Sequence, residues 1–264
     1  MNRTHAKPQR DIPLRRRLLA IALAGIVPLA GIAGVGLWRL VEYEEDQVEQ
    51  RNLDVTRLAA TTIETEVGRS LDVLQALSLS PLLDQGDTEE FSAFAQRVLP
   101  TLPAWHSLLI VSVDGQVVQR ISADAIGTAG AIADWSSFNE VISSRRRLAG
   151  NMAQGPSGTW GVPLRVPVIR DGQVRYILTA VLKPDAVLSA VNARRLPAGS
   201  VMTVLDRNGR RIVRTHLHEQ TLGQPASPTL VGLLAGNSSQ EGIGLTETIA
   251  VSYTHLTLPT NREV

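Results

Sequence analysis

Cysteine is absent from the 264 residues. Disulfide frameworks, thiolate metal sites and cysteine nucleophiles are thereby excluded. Aromatic side chains make up only 4% against 44% hydrophobic residues, so the apolar mass is aliphatic and belongs in strands, helices or a membrane segment. Lysine stands only at positions 7 and 183, and Arg supplies 24 of the 26 basic side chains, a skew that reads as coding bias. Positive charge is also short where a folded body would carry it. Residues 1–17 hold six basic side chains and one acid, which leaves 20 basic against 24 acidic beyond them. A nucleic-acid binder would put its basic surface on that body, so no nucleic-acid partner is expected.

Signatures of catalysis are missing too. Gly155-Pro-Ser-Gly158 lacks the spacing of a nucleophile elbow, and neither lysine sits in a phosphate-binding loop. Ser157 therefore reads as part of a Gly/Pro/Ser turn. His216 and His218, with Glu219, have no further ligand at a recognised spacing. No kinase or cyclase motif occurs. The expectation is a chain with no enzymatic activity of its own, no cofactor and no metal.

The run from Leu18 to Trp38 contains 21 residues without a charge, between Arg15–Arg17 and Arg39. As a helix it would span ~31 Å, which matches a hydrocarbon core of roughly 30 Å. A cleaved signal peptide would have an apolar stretch of only about 7–15 residues and a small-x-small cleavage site. This run is longer and leads into Trp38-Arg39-Leu40, so it reads as an uncleaved membrane anchor. Ala30 and Gly34 form a small-xxx-small pair suited to packing two such helices. Basic residues precede the run, while Glu42, Glu44, Glu45 and Asp46 follow it. That asymmetry puts the N-terminus in the cytoplasm and the rest of the chain outside.

From Arg39 to Leu79, Val55, Ala59, Ile63, Val67, Leu71, Leu74 and Leu77 recur at helical steps, and Pro81 ends the pattern. Such a helix reaches ~60 Å, more than a small domain needs. It reads as a stalk whose apolar face widens after Leu53 into a spine for the domain that follows. Ser107–Val113 and Gln116–Ile121 form a hairpin across Asp114-Gly115, a pair suited to a type I′ turn. Trp135–Ile142 is a short helix with Asp134 as N-cap. Gly161–Ile169 and Gln173–Leu182 pair around Asp171-Gly172, and Pro184-Asp185 opens a helix to about Asn192. Ser200–Leu205 and Arg210–Thr215 form a third hairpin, followed by a helix near Thr229–Ala235 and a strand near Gly242–Ile249. The first and third hairpins share an apolar strand, an acidic turn and a second strand. Two tandem α+β modules with antiparallel sheets follow, joined near Leu196-Pro197.

Four segments stand out in order: Val113-Asp-Gly-Gln-Val-Val118; Asp134-Trp-Ser-Ser-Phe138; Gly161-Val-Pro-Leu-Arg-Val-Pro-Val168 with Arg170-Asp-Gly-Gln-Val174; and Leu205-Asp-Arg-Asn-Gly-Arg-Arg-Ile-Val-Arg-Thr215 leading to Leu222-Gly-Gln-Pro225. With the membrane run and the long helix, they resemble a double Cache sensor over residues 39–250. This PAS-like extracytoplasmic domain occurs on bacterial histidine kinases, diguanylate cyclases and chemoreceptors. The resemblance implies an α+β fold laid out as a cytoplasmic basic segment (1–17), a transmembrane helix (18–38), a stalk or spine helix (39–79), a membrane-distal module (80–195) and a partial membrane-proximal module (196–250). Residues 251–264 resemble translated adaptor read-through and stand where closing strands are due, so a non-native tail on a truncated receptor is expected.

The resemblance also implies a function. The chain is expected to be the ligand-sensing region of a membrane-bound receptor, a histidine kinase first, with a diguanylate cyclase or a methyl-accepting chemoreceptor as alternatives. Its place is the inner membrane with the sensor in the periplasm, and a homodimer is expected. In the family the ligand lies between the distal sheet and the segment covering it, here Asp134–Met152. Trp135, Phe138, Asn151, Trp160 and Arg165 are the candidate contacts for a small molecule, with Arg165 and Asn151 as donors to an acidic one. Amino-acid-binding members carry an Arg-x-Trp-Tyr-like motif on the covering helix and an aspartate on the last strand. This chain has Asp134-Trp135-Ser136-Ser137 and Leu178-Thr179-Ala180-Val181 there, so an amino-acid ligand is not supported.

Overall fold

The computed structural model describes residues 14–84, 86–128, 130–193, 196, 200–236, 243–246 and 254–257, with 14, 16–24, 36–52 and those from 233 onward described by backbone alone. Most of the basic segment 1–17, Pro197 of the module joint and most of residues 251–264 lie outside the described residues. The chain divides into two compact units, Met1–Arg51 and Asn52–Val264. Helix α1 (Leu14–Ser78) contributes to both and has Pro28 inside it. In the first unit Ile26, Val27, Leu29, Ile32 and Val35 are exposed. Among the described residues no helix is long and apolar enough to cross a membrane. The run Leu18–Trp38 lies on α1, with consecutive described side chains only from 25 to 35.

The second unit is α+β. The later turns of α1 bury Ala59, Leu71 and Leu74 at helical spacing. A 3-10 turn at Pro81–Leu83 leads to α2 (Thr88–Val98), a helix beyond those expected from the sequence. Asp87 caps α2 by accepting the Glu90 N–H at 2.9 Å, and Phe91 and Ala95 face the core. Next come β1 (Trp105–Ser112), β2 (Val117–Ile121), β3 (Ile126–Gly127), α3 (Trp135–Ser144), β4 (Leu148–Ala149), β5 (Ala153–Gln154), β6 (Trp160–Arg170), β7 (Gln173–Leu182) and α4 (Pro184–Asn192). A second group follows: β8 (Thr203–Leu205), β9 (Arg211–Arg214), α5 (His218–Thr221), α6 (Pro228–Gly236), β10 (Ile243–Thr246) and β11 (Thr254–Thr257).

The main sheet runs β3-β2-β1-β7-β6-β4, with β5 also on β6, and its pairs are antiparallel. Strand alternation divides its side chains between two cores. Leu108, Ile110, Leu164, Val166, Leu178 and Ala180 join the core built with Leu71 and Leu74 of α1 and Phe91 of α2. On the other face Leu109, Val111 and Ile177 pack with Phe138 and Val141 of α3. Trp105 ties the sheet to α1 through its indole N–H, which donates to Ser70 Oγ at 3.1 Å. The strands β8 and β9 form a separate antiparallel pair, as do β10 and β11.

The two Asp-Gly turns differ. Asp171 and Gly172 both have positive φ, 51° and 73°, as a type I′ turn requires. At Asp114-Gly115 only the glycine is left-handed, at φ 86°, which corrects the expected type I′ turn there. The Gly115 N–H donates to Ser112 O and the Ser112 N–H to Gln116 O, both at 2.9 Å, closing a three-residue loop. That loop asks one residue rather than two to adopt the left-handed region, and a glycine does so without steric cost. The third hairpin repeats it: Gly209 donates to Asp206 O at 3.0 Å and Asp206 to Arg210 O at 2.9 Å.

Candidate ligand site beside strand β6

Within the stretch 162–168 of strand β6 the one charge is Arg165, among Val162, Pro163, Leu164, Val166, Pro167 and Val168. Its even-numbered neighbours belong to the α1 core, so Arg165 points to the α3 face, and it is 1% exposed. Nε donates to Ser137 Oγ at 2.8 Å, Nη1 to Thr179 Oγ1 at 3.1 Å and Nη2 to the Asp134 carbonyl at 2.8 Å. The guanidinium carbon stands 5.6 Å from the centre of the Phe138 ring. Three neutral acceptors thus hold a full positive charge, and among the described residues it has no ion-pair partner. Burial lowers the pKa of Arg165 to about 10, and the charge of Asp134 offsets only part of that.

Asp134 is the N-cap of α3, and its Oδ1 accepts the Ser137 N–H at 3.3 Å. Its Oδ2 accepts the Asn151 N–H at 2.7 Å. Burial alone would raise its pKa, but hydrogen bonds from Ser137 and the Asn151 amide, with the nearby Arg165 charge, outweigh burial and hold the carboxyl below its ordinary range. Gly150 permits this closeness, because a Cβ there would come 2.5 Å from Ser137 Oγ and 2.6 Å from Asp134 Oδ2. The next amide, Met152 N–H, donates to Asp206 Oδ2 in the β8–β9 turn at 2.9 Å. Consecutive amides are therefore held by two different carboxylates.

Between the sheet and the segments 131–134 and 153–159 lies a cavity of about 50 Å³, bordered by His106, Ser107, Arg120, Asp134, Arg165 and Thr179 among others. Ser107 is 2% exposed and its Oγ has no hydrogen-bond partner. Partial burial, then the charges of Lys183 and Arg120, lower the pKa of His106, so its imidazole is neutral at pH 7. A larger recess of about 270 Å³ lies elsewhere, between Gln75, Ser78, Arg145, Arg147 and Arg170. Arg147 and Arg170 there are already paired with Asp72 and Asp84. The C-terminal end of α1 also borders it and disfavours an anion, so the smaller cavity is the more informative one.

The five candidate contacts fall in different places. Arg165 borders the cavity. Phe138 is 1% exposed in the α3 core, beneath the guanidinium. Asn151 meets Asp134 through its backbone, and its side-chain Oδ1 is buried without a partner. Trp135 is 49% exposed; it meets Phe138 edge-on at 5.7 Å and covers Gly115, where a Cβ would come within 2.3 Å of its ring. Trp160 is half-buried, and its ring lies against Gly223, beyond β9. Ser107, Ser137 and Thr179 were not among the candidates. Hydroxyls in apolar strands carry no sequence signal, whereas a lone Arg in an apolar strand does. Among the described residues no group of His, Asp or Glu is arranged to hold a metal ion, and the His218 ring instead stands 3.3 Å from Asp185.

The sequence matches no family profile and no curated protein. Its fold, however, is similar to that of solved sensor domains. The extracellular domain of rpHK1S-Z16, a histidine kinase by assignment, superposes with a TM-score of 0.60 at 16% identity, over 82% of this chain and 91% of that one. The sensory domain of the Campylobacter jejuni chemoreceptor Tlp3, solved with isoleucine, gives 0.55 at 10% identity over 78% and 85%. The ligand-binding domain of the Pseudomonas aeruginosa amino-acid chemoreceptor PctB, solved with L-Gln, gives 0.55 at 11% identity over 79% and 90%. The fold of this chain is that of extracellular sensor domains of histidine kinases and chemoreceptors.

Proposed function

We propose that the chain is the extracytoplasmic ligand-sensing region of a membrane-bound signalling receptor, of the histidine kinase kind, with a diguanylate cyclase or a methyl-accepting chemoreceptor as the alternative output. The observation that carries this reading is the buried Arg165, without an ion-pair partner among the described residues, beside a cavity covered by the segments 131–134 and 153–159, in a fold shared with extracellular sensors. Residues 80–195 are the membrane-distal Cache-like module and residues 196–250 the membrane-proximal one. The matching glycine loops at Gly115 and Gly209 support that division.

In the same reading Leu18–Trp38 is the membrane anchor, residues 1–17 are cytoplasmic and residues 39–79 form the stalk and spine. The apolar run with its flanking charges supports this, and Ala30 and Gly34 favour a homodimer. The ligand is a small molecule. A cavity of about 50 Å³ does not admit a bulky amino acid unless the cover opens. Signalling is a population shift: ligand stabilises one arrangement of α3 over the sheet, and α1 carries the difference toward the membrane. Alkaline phosphatase fused after Arg57 should be active, as the enzyme is only outside the cytoplasm. An inactive phosphatase with an active cytoplasmic reporter at the same joint would refute the placement.

A further inference from the structure

We infer that the cavity beside Arg165, under the segments 131–134 and 153–159, receives a small monoanion of the short-chain carboxylate class, which supplies the direct ion-pair partner that Arg165 lacks. The inference rests on the sensor reading above and narrows its ligand. A buried cation held only by neutral oxygens is costly, and an anion against it removes most of that cost. Arg165 has five N–H donors and spends three on Ser137, Thr179 and the Asp134 carbonyl, which leaves two. Thr179 Oγ1 accepts from Arg165, so its own proton is available at the cavity wall. Ser107 adds a buried hydroxyl without a partner.

The wall is therefore rich in donors, and the ligand that satisfies it is an acceptor without donors of its own. A carboxylate fits that description; an amide or an ammonium does not. An ammonium would meet the Arg165 charge at the wall, with Asp134 as the one carboxylate among the bordering residues. Charge agrees with this. Arg165 borders the cavity, and both oxygens of Asp134 are turned to the Ser137 and Asn151 amides. Size sets the rest. At ~10–15 Å³ per water-sized atom, about 50 Å³ holds roughly three to five non-hydrogen atoms, the range from formate to propionate.

The test titrates the full chain, purified in mild detergent, with formate, acetate and propionate at constant ionic strength, by calorimetry and by melting temperature. Nitrate tests an inorganic oxyanion, acetamide a neutral isostere, and glycine and isoleucine the amino acids. At least one carboxylate should bind and raise the melting temperature, with acetamide at least about tenfold weaker, the factor of one lost charge-assisted hydrogen bond. Ser107→Ala should weaken the carboxylate about tenfold with the apo melting curve unchanged. Arg165→Met should abolish binding, and Ser107→Ala keeps the test decisive if that variant does not fold. Nitrate binding more tightly than any carboxylate would overturn the carboxylate class. Acetamide binding as well as acetate, tighter binding of an amino acid, or no carboxylate binding would overturn the inference outright. A neutral or amino-acid ligand would still leave the sensor reading standing, whereas a cytoplasmic Arg57 fusion would sink that reading alone.

Discussion

Replacing Arg165 with Met removes the charge and keeps most of the side-chain volume. A pKa of about 10 in place of 12.5 means that the charged form bears roughly 3 kcal/mol of uncompensated cost in the apo protein. The substitution relieves that cost. It also removes three hydrogen bonds, worth ~1 kcal/mol each, and the contact with the Phe138 ring, worth ~1 kcal/mol. The two sides nearly cancel, so apo Arg165→Met should lie within about 2 kcal/mol of the wild type. Breaking a buried ion pair would instead cost about 3–5 kcal/mol. The assay is urea unfolding followed by tryptophan fluorescence in carboxylate-free buffer, with the slope of each transition compared. A loss above about 3 kcal/mol at unchanged slope would refute the reasoning, because it would mean that Arg165 is structurally compensated after all.

Phe138→Ala should cost roughly 3–5 kcal/mol, whereas Trp135→Ala, at a half-exposed site, should cost about 1–2; equal losses would mean that Trp135 is a core residue. Gly150→Ala should destabilise by about 1–3 kcal/mol and speed hydrogen exchange at the Asn151 amide, since the new methyl group displaces Asp134 or Ser137. Asp134 has a depressed pKa in the folded state, so its contribution is complete above the ordinary carboxyl value near ~3.9 and is lost as pH falls through the lower folded value. The stability gap between wild type and Asp134→Asn should therefore narrow from pH 7 to pH 3, and a gap that does not change with pH would contradict that sign.

Local chemistry was legible where one residue decides the outcome. Asp134 and Pro184 mark the starts of α3 and α4, and Asp171-Gly172 marks the β6–β7 turn. Helix α2 was missed although Asp87 and Glu90 form its start, because Phe91 and Ala95 are too few to set a period between Pro81 and Pro100. The scarce tryptophans suggested one shared pocket, but residue type does not say which neighbour a ring meets. Trp135 covers the β1–β2 turn and Trp160 meets Gly223, both set by contacts distant in sequence. The site itself depends on register: Leu109 stands beside Thr179, and Thr179 beside Arg165, across β1, β7 and β6. Alternation in β6 could orient Arg165 only once the sheet's two faces were known.

Asn151 and Met152 give their amides in opposite allegiance, one to Asp134 at the start of α3 and the other to Asp206 in the β8–β9 turn. The two donors lie on successive planar peptides that share the Asn151 Cα, so only the φ and ψ of one residue separate them. Such a pair of peptides acts as a short hinge: a shift that follows Asp134 is passed to the bond with Asp206 unless Asn151 changes its φ and ψ, and the reverse. While both bonds hold, the start of α3 and the β8–β9 turn move as one piece. Loss of either carboxylate frees them to drift separately, and exchange at the two amides would then cease to rise and fall together.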